Sequence, residues 1–168
     1  TDNTVGLQWQ WNGNFKPHWL EVSKGQLILK AMSKVPDTGN NLWMTPNLML
    51  QKLPAQTFQV RSKLRVPTAQ ADIETGLLLF GEDYAWLGIK TINNAPHLVY
   101  VQCRGARTGC NESVHDYGEV NHGSIEIRYI LASDATAVFA YRFSENEAFT
   151  VVGEQFKARR GRWVGAKT

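Results

Sequence analysis

The sequence has no long apolar run and little excess of either charge. No stretch approaches the roughly 20 apolar residues of a membrane-spanning helix, so we predict no membrane partner. With 18 basic and 15 acidic side chains, the formal net charge is +3. A charge this small does not indicate nucleic-acid binding, and we predict no nucleic-acid partner. The chain starts at Thr1 without a signal peptide, which indicates a processed protein or an excised fragment.

Cysteine is scarce as well. Cys103 and Cys110 are the only two, too few for a zinc site without histidines at suitable spacing. The six residues between them suit a hairpin whose strands are bridged across the turn. We therefore predict a disulfide, with a pair that fails on geometry as the alternative. A disulfide would imply an oxidising compartment, and we expect a periplasmic or extracellular protein.

Catalytic motifs are missing too. Hydrolysis of a glycoside needs two carboxyl groups about 5 to 9 Å apart, and no strand carries acids spaced for such a pair. Glu82 and Asp83 share a turn, as do Glu145 and Glu147, and we expect all of them to be solvated. No serine or cysteine lies in a nucleophile elbow. We predict no catalytic residue and no cofactor, except that a structural calcium at an unknown position stays open.

Short strands dominate what the sequence does contain. Residues 57–66 alternate, with Phe58 and Val60 on one side and charged side chains on the other. This pattern is typical of an antiparallel strand that has one face against the core and one face exposed to solvent. Turn signals such as Asn93-Asn94 separate further apolar stretches, and no amphipathic helix of useful length is present. We predict an all-β sandwich of two antiparallel sheets. Its other strands are expected at 26–30, 75–80, 85–90, 97–103, 124–131, 137–143 and 150–152.

The segment 6–12 holds two alternating tryptophans. We predict a strand here with Trp9 and Trp11 on one face, because successive side chains of a strand point to opposite faces. Two adjacent indoles could fill a core or form a platform on which sugars stack, and both interpretations stay open. Asn12 and Asn14 stand beside the rings, and their amides would bond sugar hydroxyls. All four residues are therefore candidates for ligand or interface contact.

Two further tryptophans are candidates for the same kind of contact. The longest irregular segment, 33–47, carries an apolar tip around Trp43, and long loops in compact domains are often functional. Large aromatic residues on loops tend to anchor interfaces, so Trp43 is a candidate for contact with a partner or ligand. Trp163, with Arg160 and Arg162 beside it in the sequence, is a similar candidate. We place Trp19 and Trp86 in the core.

Several segments, in order along nearly the whole chain, resemble one family. The first reads Leu7-Gln8-Trp9-Gln10-Trp11-Asn12, followed by Gly25-Gln26-Leu27-Ile28-Leu29-Lys30. The central ones read Gly76-Leu77-Leu78-Leu79-Phe80-Gly81 and Tyr84-Ala85-Trp86-Leu87-Gly88. A late one reads Phe156-Lys157-Ala158-Arg159. Together they resemble the C-terminal β-sandwich of family 43 glycoside hydrolases of the β-xylosidase and α-arabinofuranosidase type.

The resemblance implies a concanavalin-A-like jelly roll and a partner. Residues 1–168 would be a single β-sandwich domain, a fragment of a larger glycosidase that stops before the last strand of the family. In that family the module follows a catalytic β-propeller in the same polypeptide. We therefore expect a non-catalytic accessory domain that braces the propeller and shapes its active-site rim in xylan or arabinan degradation. The alternative is a carbohydrate-binding module for xylo- or arabino-oligosaccharides of the plant cell wall.

Overall fold

The computed structural model describes residues 5–32, 41–68 and 72–159, which form strands, loops and two short 3-10 turns. None of the helical pieces in these ranges is long and apolar enough to cross a membrane. The strands are β1 (Gln10–Trp11), β2 (Leu20–Ser23), β3 (Gln26–Leu29), β4 (Met49–Leu50), β5 (Phe58–Arg65), β6 (Glu74–Phe80), β7 (Tyr84–Ile92), β8 (Ala95–Cys103), β9 (Ser113–Glu119), β10 (Ser124–Leu131), β11 (Thr136–Arg142) and β12 (Thr150–Lys157).

Eight of these strands build two four-stranded antiparallel sheets. The first sheet has the order β12-β11-β10-β5, and the second has the order β6-β7-β8-β9. β2 pairs with β3, and β1 pairs with β4, as separate two-stranded ribbons. The predicted all-β architecture of two antiparallel sheets is confirmed.

The main core lies between the two sheets and follows from alternation along the strands. On β10, Ile125, Ile127 and Tyr129 are buried, while Glu126 and Arg128 between them point to the outer face. The second sheet supplies matching apolar residues, mainly from β7 and β8. Large side chains of this core cluster include Leu87, Ile89, Leu98, Tyr100, Tyr129, Phe139 and Phe156.

The second sheet is covered on its other face as well. Residues 41–50, here called the cover segment, pack against it and bury Trp86 and Val99 together with Leu50. β7 is therefore buried on both faces along its first six residues. Trp19 and Trp86 are 1% and 3% exposed, which confirms their predicted place in the core.

The N-terminal strand is shorter than predicted. Only Gln10 and Trp11 are in β1, because a turn precedes them in which the N–H of Trp9 donates to the carbonyl of Gly6 over 3.2 Å. The predicted strand over 6–12 is therefore wrong for most of its length. At the other end of the chain, β12 extends to Lys157, beyond the predicted 150–152.

Candidate interaction surfaces

The N-terminal aromatic residues form a ring cluster inside the domain. Trp11 stacks on Phe15 with ring centroids 5.0 Å apart and lies 5.6 Å from the buried ring of Trp19. Trp9 is half-buried and lies outside β1. The prediction that Trp9 and Trp11 share one strand face is therefore wrong, and Trp11 contacts neighbouring rings of its own domain.

Asn12 and Trp43, both predicted site residues, meet at the cover segment. The side-chain amide of Asn12 donates to the carbonyl oxygens of Trp43 over 2.9 Å and of Thr45 over 3.0 Å. The half-buried ring of Trp43 stacks on Phe80 with centroids 5.7 Å apart. Both donors of the amide and one face of the indole thus hold the cover segment in place. These contacts favour a structural role for the pair over a sugar platform.

The two remaining predicted contact residues are placed differently. Asn14 is exposed, in the loop between β1 and the first 3-10 turn. Trp163 lies outside the residues that the structure describes.

The disulfide loop holds the start of the cover segment. Cys103 and Cys110 are joined across 6.1 Å between their Cα atoms, as their spacing predicts. Asn41 is 1% exposed, and its side-chain amide donates to the carbonyls of Ala106 over 3.1 Å and of Cys110 over 3.0 Å. The sequence gives no signal for this contact, because Asn41 and Ala106 lie 65 residues apart.

Tyr84 also anchors the cover segment, through a hydrogen bond to its backbone. Its hydroxyl accepts the N–H of Leu42 over 2.9 Å and donates to the carboxylate of Glu112 over 2.5 Å. Burial of the phenol, with Glu112 beside it, raises the pKa of Tyr84. The phenol therefore stays neutral and keeps its proton to donate.

Asp83 is buried, which corrects the prediction that the acids of this turn are solvated. It is 3% exposed and accepts the N–H of Gly105 over 2.7 Å. Arg159 donates to both of its carboxylate oxygens, over 2.8 Å and 2.7 Å, and this bonding raises the pKa of Arg159. A Cβ on Gly81 would collide with the carbonyl oxygen of Arg159. Arg159, two residues after β12, is thus held against the turn between β6 and β7.

Other acids in the described residues also bind donors. Glu126 accepts from Arg142 over 2.6 Å, and Lys63 lies 3.1 Å from Glu145. A hydrogen bond from Thr136, followed by one from Lys157, lowers the pKa of Asp134 to about 2. Among the described residues, no group of three or more His, Cys, Asp and Glu side chains is placed to hold a metal ion. The carboxylates named here hold the structure together.

The ribbon of β2 and β3 presents apolar side chains to solvent. Leu27, Ile28 and Leu29 are 48%, 38% and 50% exposed. Because consecutive strand residues point to opposite faces, both faces of the ribbon are uncovered within the described part of the chain. Phe15 and Met32, at 48% and 41% exposure, add further apolar area. We call Phe15, Leu27, Ile28, Leu29 and Met32 the hairpin surface.

A strand was predicted at 26–30, where β3 lies, but it was not predicted to be a contact surface. The signal was available: after the Lys24-Gly25 turn and Gln26 come three consecutive large apolar residues, without the alternation of a strand that has one solvent-exposed face. A two-stranded ribbon is marginal in water by itself, and apolar residues on both of its faces indicate that something covers them.

Comparison with known proteins gives the family. A sequence model of the beta-xylosidase C-terminal concanavalin A-like domain matches residues 1–168. The chain belongs to this family. The predicted family resemblance and the concanavalin A-like fold of this C-terminal domain are thereby confirmed. No curated protein sequence matches the domain.

A solved structure has the same fold as this C-terminal domain. It is described as a bifunctional GH43-CE protein of Bacteroides eggerthii, and the TM-score is 0.80 at 19% sequence identity. The match covers 97% of the present domain but 21% of the other chain, so the domain corresponds to a small part of that protein. At this identity the likeness shows the fold alone.

Proposed function

We propose that this chain is the non-catalytic C-terminal accessory domain of a family 43 glycoside hydrolase. In this proposal it braces the catalytic β-propeller of the same polypeptide and shapes the rim of the active site. The hairpin surface is the observation that carries the proposal. A ribbon with large apolar residues exposed on both faces fits a position between two domains better than a position in solvent.

The apolar area of the hairpin surface is sufficient for contact between linked domains. Complete burial of a Leu or Ile side chain is worth roughly 1.5–3 kcal/mol. Covering the exposed half of Leu27, Ile28 and Leu29 would then contribute about 2–4 kcal/mol. Two domains of one polypeptide need less interaction energy than two free proteins, because the linker keeps them at a high effective concentration.

The bonding of the acids supports the non-catalytic part of the proposal. Asp83 and Glu126, the more buried of the named carboxylates, bind arginines. Hydrolysis of xylan or arabinan would then belong to the propeller, and cell-wall oligosaccharides would meet this domain at the rim. The disulfide between Cys103 and Cys110 supports a periplasmic or extracellular location for the whole enzyme.

The test is binding between this chain and the propeller that we expect the reading frame ahead of Thr1 to encode. With the two parts produced separately, NMR titration at millimolar concentration should detect the weak association that about 2–4 kcal/mol of apolar contact allows. Leu27→Asp combined with Leu29→Asp should weaken it roughly tenfold or more, because charges would replace the apolar contact.

Val114→Asp is the matched control for this experiment. Val114 is 42% exposed on β9, and the same change there should leave binding within about twofold of the original chain. A reading frame without a propeller, or a hairpin variant that binds as tightly as the control, would overturn the proposal. Capture of neutral xylo-oligosaccharides through Trp43 would instead favour the carbohydrate-binding alternative.

A further inference from the structure

Three arginines surround one phenyl ring on the outer face of the first sheet. The guanidinium carbons of Arg128, Arg142 and Arg61 lie 3.9, 4.6 and 5.5 Å from the ring centroid of Phe149. Arg61 and Arg128 are direct partners across the ladder between β5 and β10. We call these residues, with Glu126, the arginine cluster. Cation–π contact fixes the guanidinium groups but does not neutralise their charge.

The carboxylate of Glu126 compensates only part of this positive charge. It accepts from Arg142 through Nε over 2.6 Å and Nη2 over 2.5 Å, and it lies 3.8 Å from Arg61. Arg142 also donates to the carbonyl of Glu145 over 2.8 Å. The carboxylate of Glu145 also interacts with Arg142, but it is paired with Lys63 over 3.1 Å, so the three guanidinium groups still leave the cluster with a positive potential that attracts anions.

Within the arginine cluster, Arg128 is the arginine without a partner of opposite charge. Within the described residues it makes no hydrogen bond and no ion pair, and its Nε is buried without an acceptor. A buried donor without an acceptor costs roughly 1–3 kcal/mol. Of the three guanidinium nitrogens only Nε is buried without an acceptor, so the two Nη groups are the ones that a ligand at this face can reach.

The surroundings of Arg128 are apolar on the side away from Arg61. The ladders place Ala140, which is 2% exposed, between Arg128 and Val151. Ile130, on the same face of β10, is 40% exposed and follows Arg128 by two residues. Guanidinium donors beside an exposed aliphatic side chain fit a ring that carries a carboxylate.

We propose that the arginine cluster binds the carboxylate of a uronosyl sugar, with Arg128 as the central contact and Ile130 beside the sugar ring. The planar guanidinium matches a carboxylate in two-point hydrogen bonding. The choice of a sugar rests on the proposed function, because a domain attached to a polysaccharide hydrolase meets acidic side groups of cell-wall chains. The inference gives this face a role in holding acidic substrates near the catalytic domain.

The experiment titrates the chain with three probes at equal ionic strength. They are a xylo-oligosaccharide that carries one glucuronic acid, the neutral xylo-oligosaccharide of the same length, and sodium acetate. We expect the acidic oligosaccharide to bind at least tenfold more tightly than the other two. Arg128→Gln should weaken this binding roughly tenfold or more, since it removes a charge-assisted hydrogen bond.

Arg65→Gln is the matched control, because it removes the same charge from the same face without contact to Phe149. Binding by this variant should stay within about twofold. Equal affinity for the acidic and neutral probes, or unchanged binding by Arg128→Gln, would overturn the proposal. Acetate as tight as the sugar would reduce the site to a bare anion site and would overturn its sugar specificity.

A second variant keeps the test decisive if Arg128→Gln does not fold. Arg61 has a side chain 46% exposed, so Arg61→Gln should fold and should weaken the acidic probe several-fold. The outcome is independent of the hairpin experiment, because the hairpin surface and the arginine cluster lie on different strands. If the chain binds the acidic sugar but not the propeller, only the bracing role is contradicted. If it binds the propeller but not the acidic sugar, only the uronosyl site is contradicted.

Discussion

Asp83 joins three separate parts of the chain through one side chain. It bonds Gly105 in the disulfide loop and Arg159 after β12, and Arg104 lies 3.5 Å away. A carboxylate this buried is stable only when donors replace the water that it loses. Arg159 lies 76 residues away, so no local sequence pattern could have predicted the pair. Asp83, which was predicted to be a solvated turn acid, is therefore a buried residue that holds three parts of the chain together.

We expect Asp83→Asn to destabilise the fold by about 2 kcal/mol, because the neutral amide cannot accept from both nitrogens of the Arg159 guanidinium. The partner arginines are more than half exposed, which keeps the effect below that of a fully buried pair. Urea unfolding at pH 7 measures the change. A shift no larger than that of the exposed Asp134→Asn would contradict the anchoring role.

Asp134→Asn also serves as a control for how the stability of the fold depends on pH. The folded-state pKa of Asp134 is about 2, below its ordinary value of 3.8. Its contribution is therefore present above about pH 4 and is lost as the pH falls through 2. Asp134→Asn should lack this acid-dependent part of the stability curve, whereas Asp83→Asn should retain it.

Among the secondary-structure elements, the strands that alternate apolar and polar residues were the ones that the sequence predicted well. β5 and β10 alternate apolar and polar residues and were found at nearly the predicted positions. β9 was missed because it is an exposed edge strand whose side chains need no apolar face. The cover segment was recognised as a loop with an apolar tip, but its docking partner, the outer face of β7 and β8, depends on the tertiary fold.

Tyr84→Phe tests how the cover segment is held. The change removes the acceptor of the Leu42 N–H and the donor to Glu112, and we expect a loss of about 1–2 kcal/mol. Hydrogen exchange should accelerate in residues 41–50 and stay slow in β10. Tyr117→Phe removes a hydroxyl that accepts the N–H of Gly153 elsewhere, and it should leave exchange in 41–50 unchanged. Equal effects of the two variants would contradict local anchoring.

At the scale of the whole molecule, Tyr100 connects the two sheets, because it lies on one and contacts the other. It lies on β8 of the second sheet, and its ring packs 5.4 Å from that of Phe139 on β11 of the first. Its hydroxyl donates to the carbonyl of Glu154 on β12 over 3.3 Å. Burial of this phenol raises its pKa to about 12. The sandwich is therefore closed by a group that must stay neutral.

This burial predicts a loss of stability in alkali. In the unfolded chain Tyr100 ionises near its ordinary pKa of 10, whereas in the folded protein it stays neutral until about pH 12. The contribution is fully present below pH 10 and is lost between pH 10 and 12, because only the unfolded state releases the proton there. Urea unfolding at pH 9, 10, 11 and 12 should show the decline, and Tyr100→Phe should make it less steep but not abolish it, because the pKa of the buried Tyr84 is raised as well. An equally steep decline in Tyr100→Phe would mean that the alkaline weakness arises elsewhere and that this phenol does not close the sandwich.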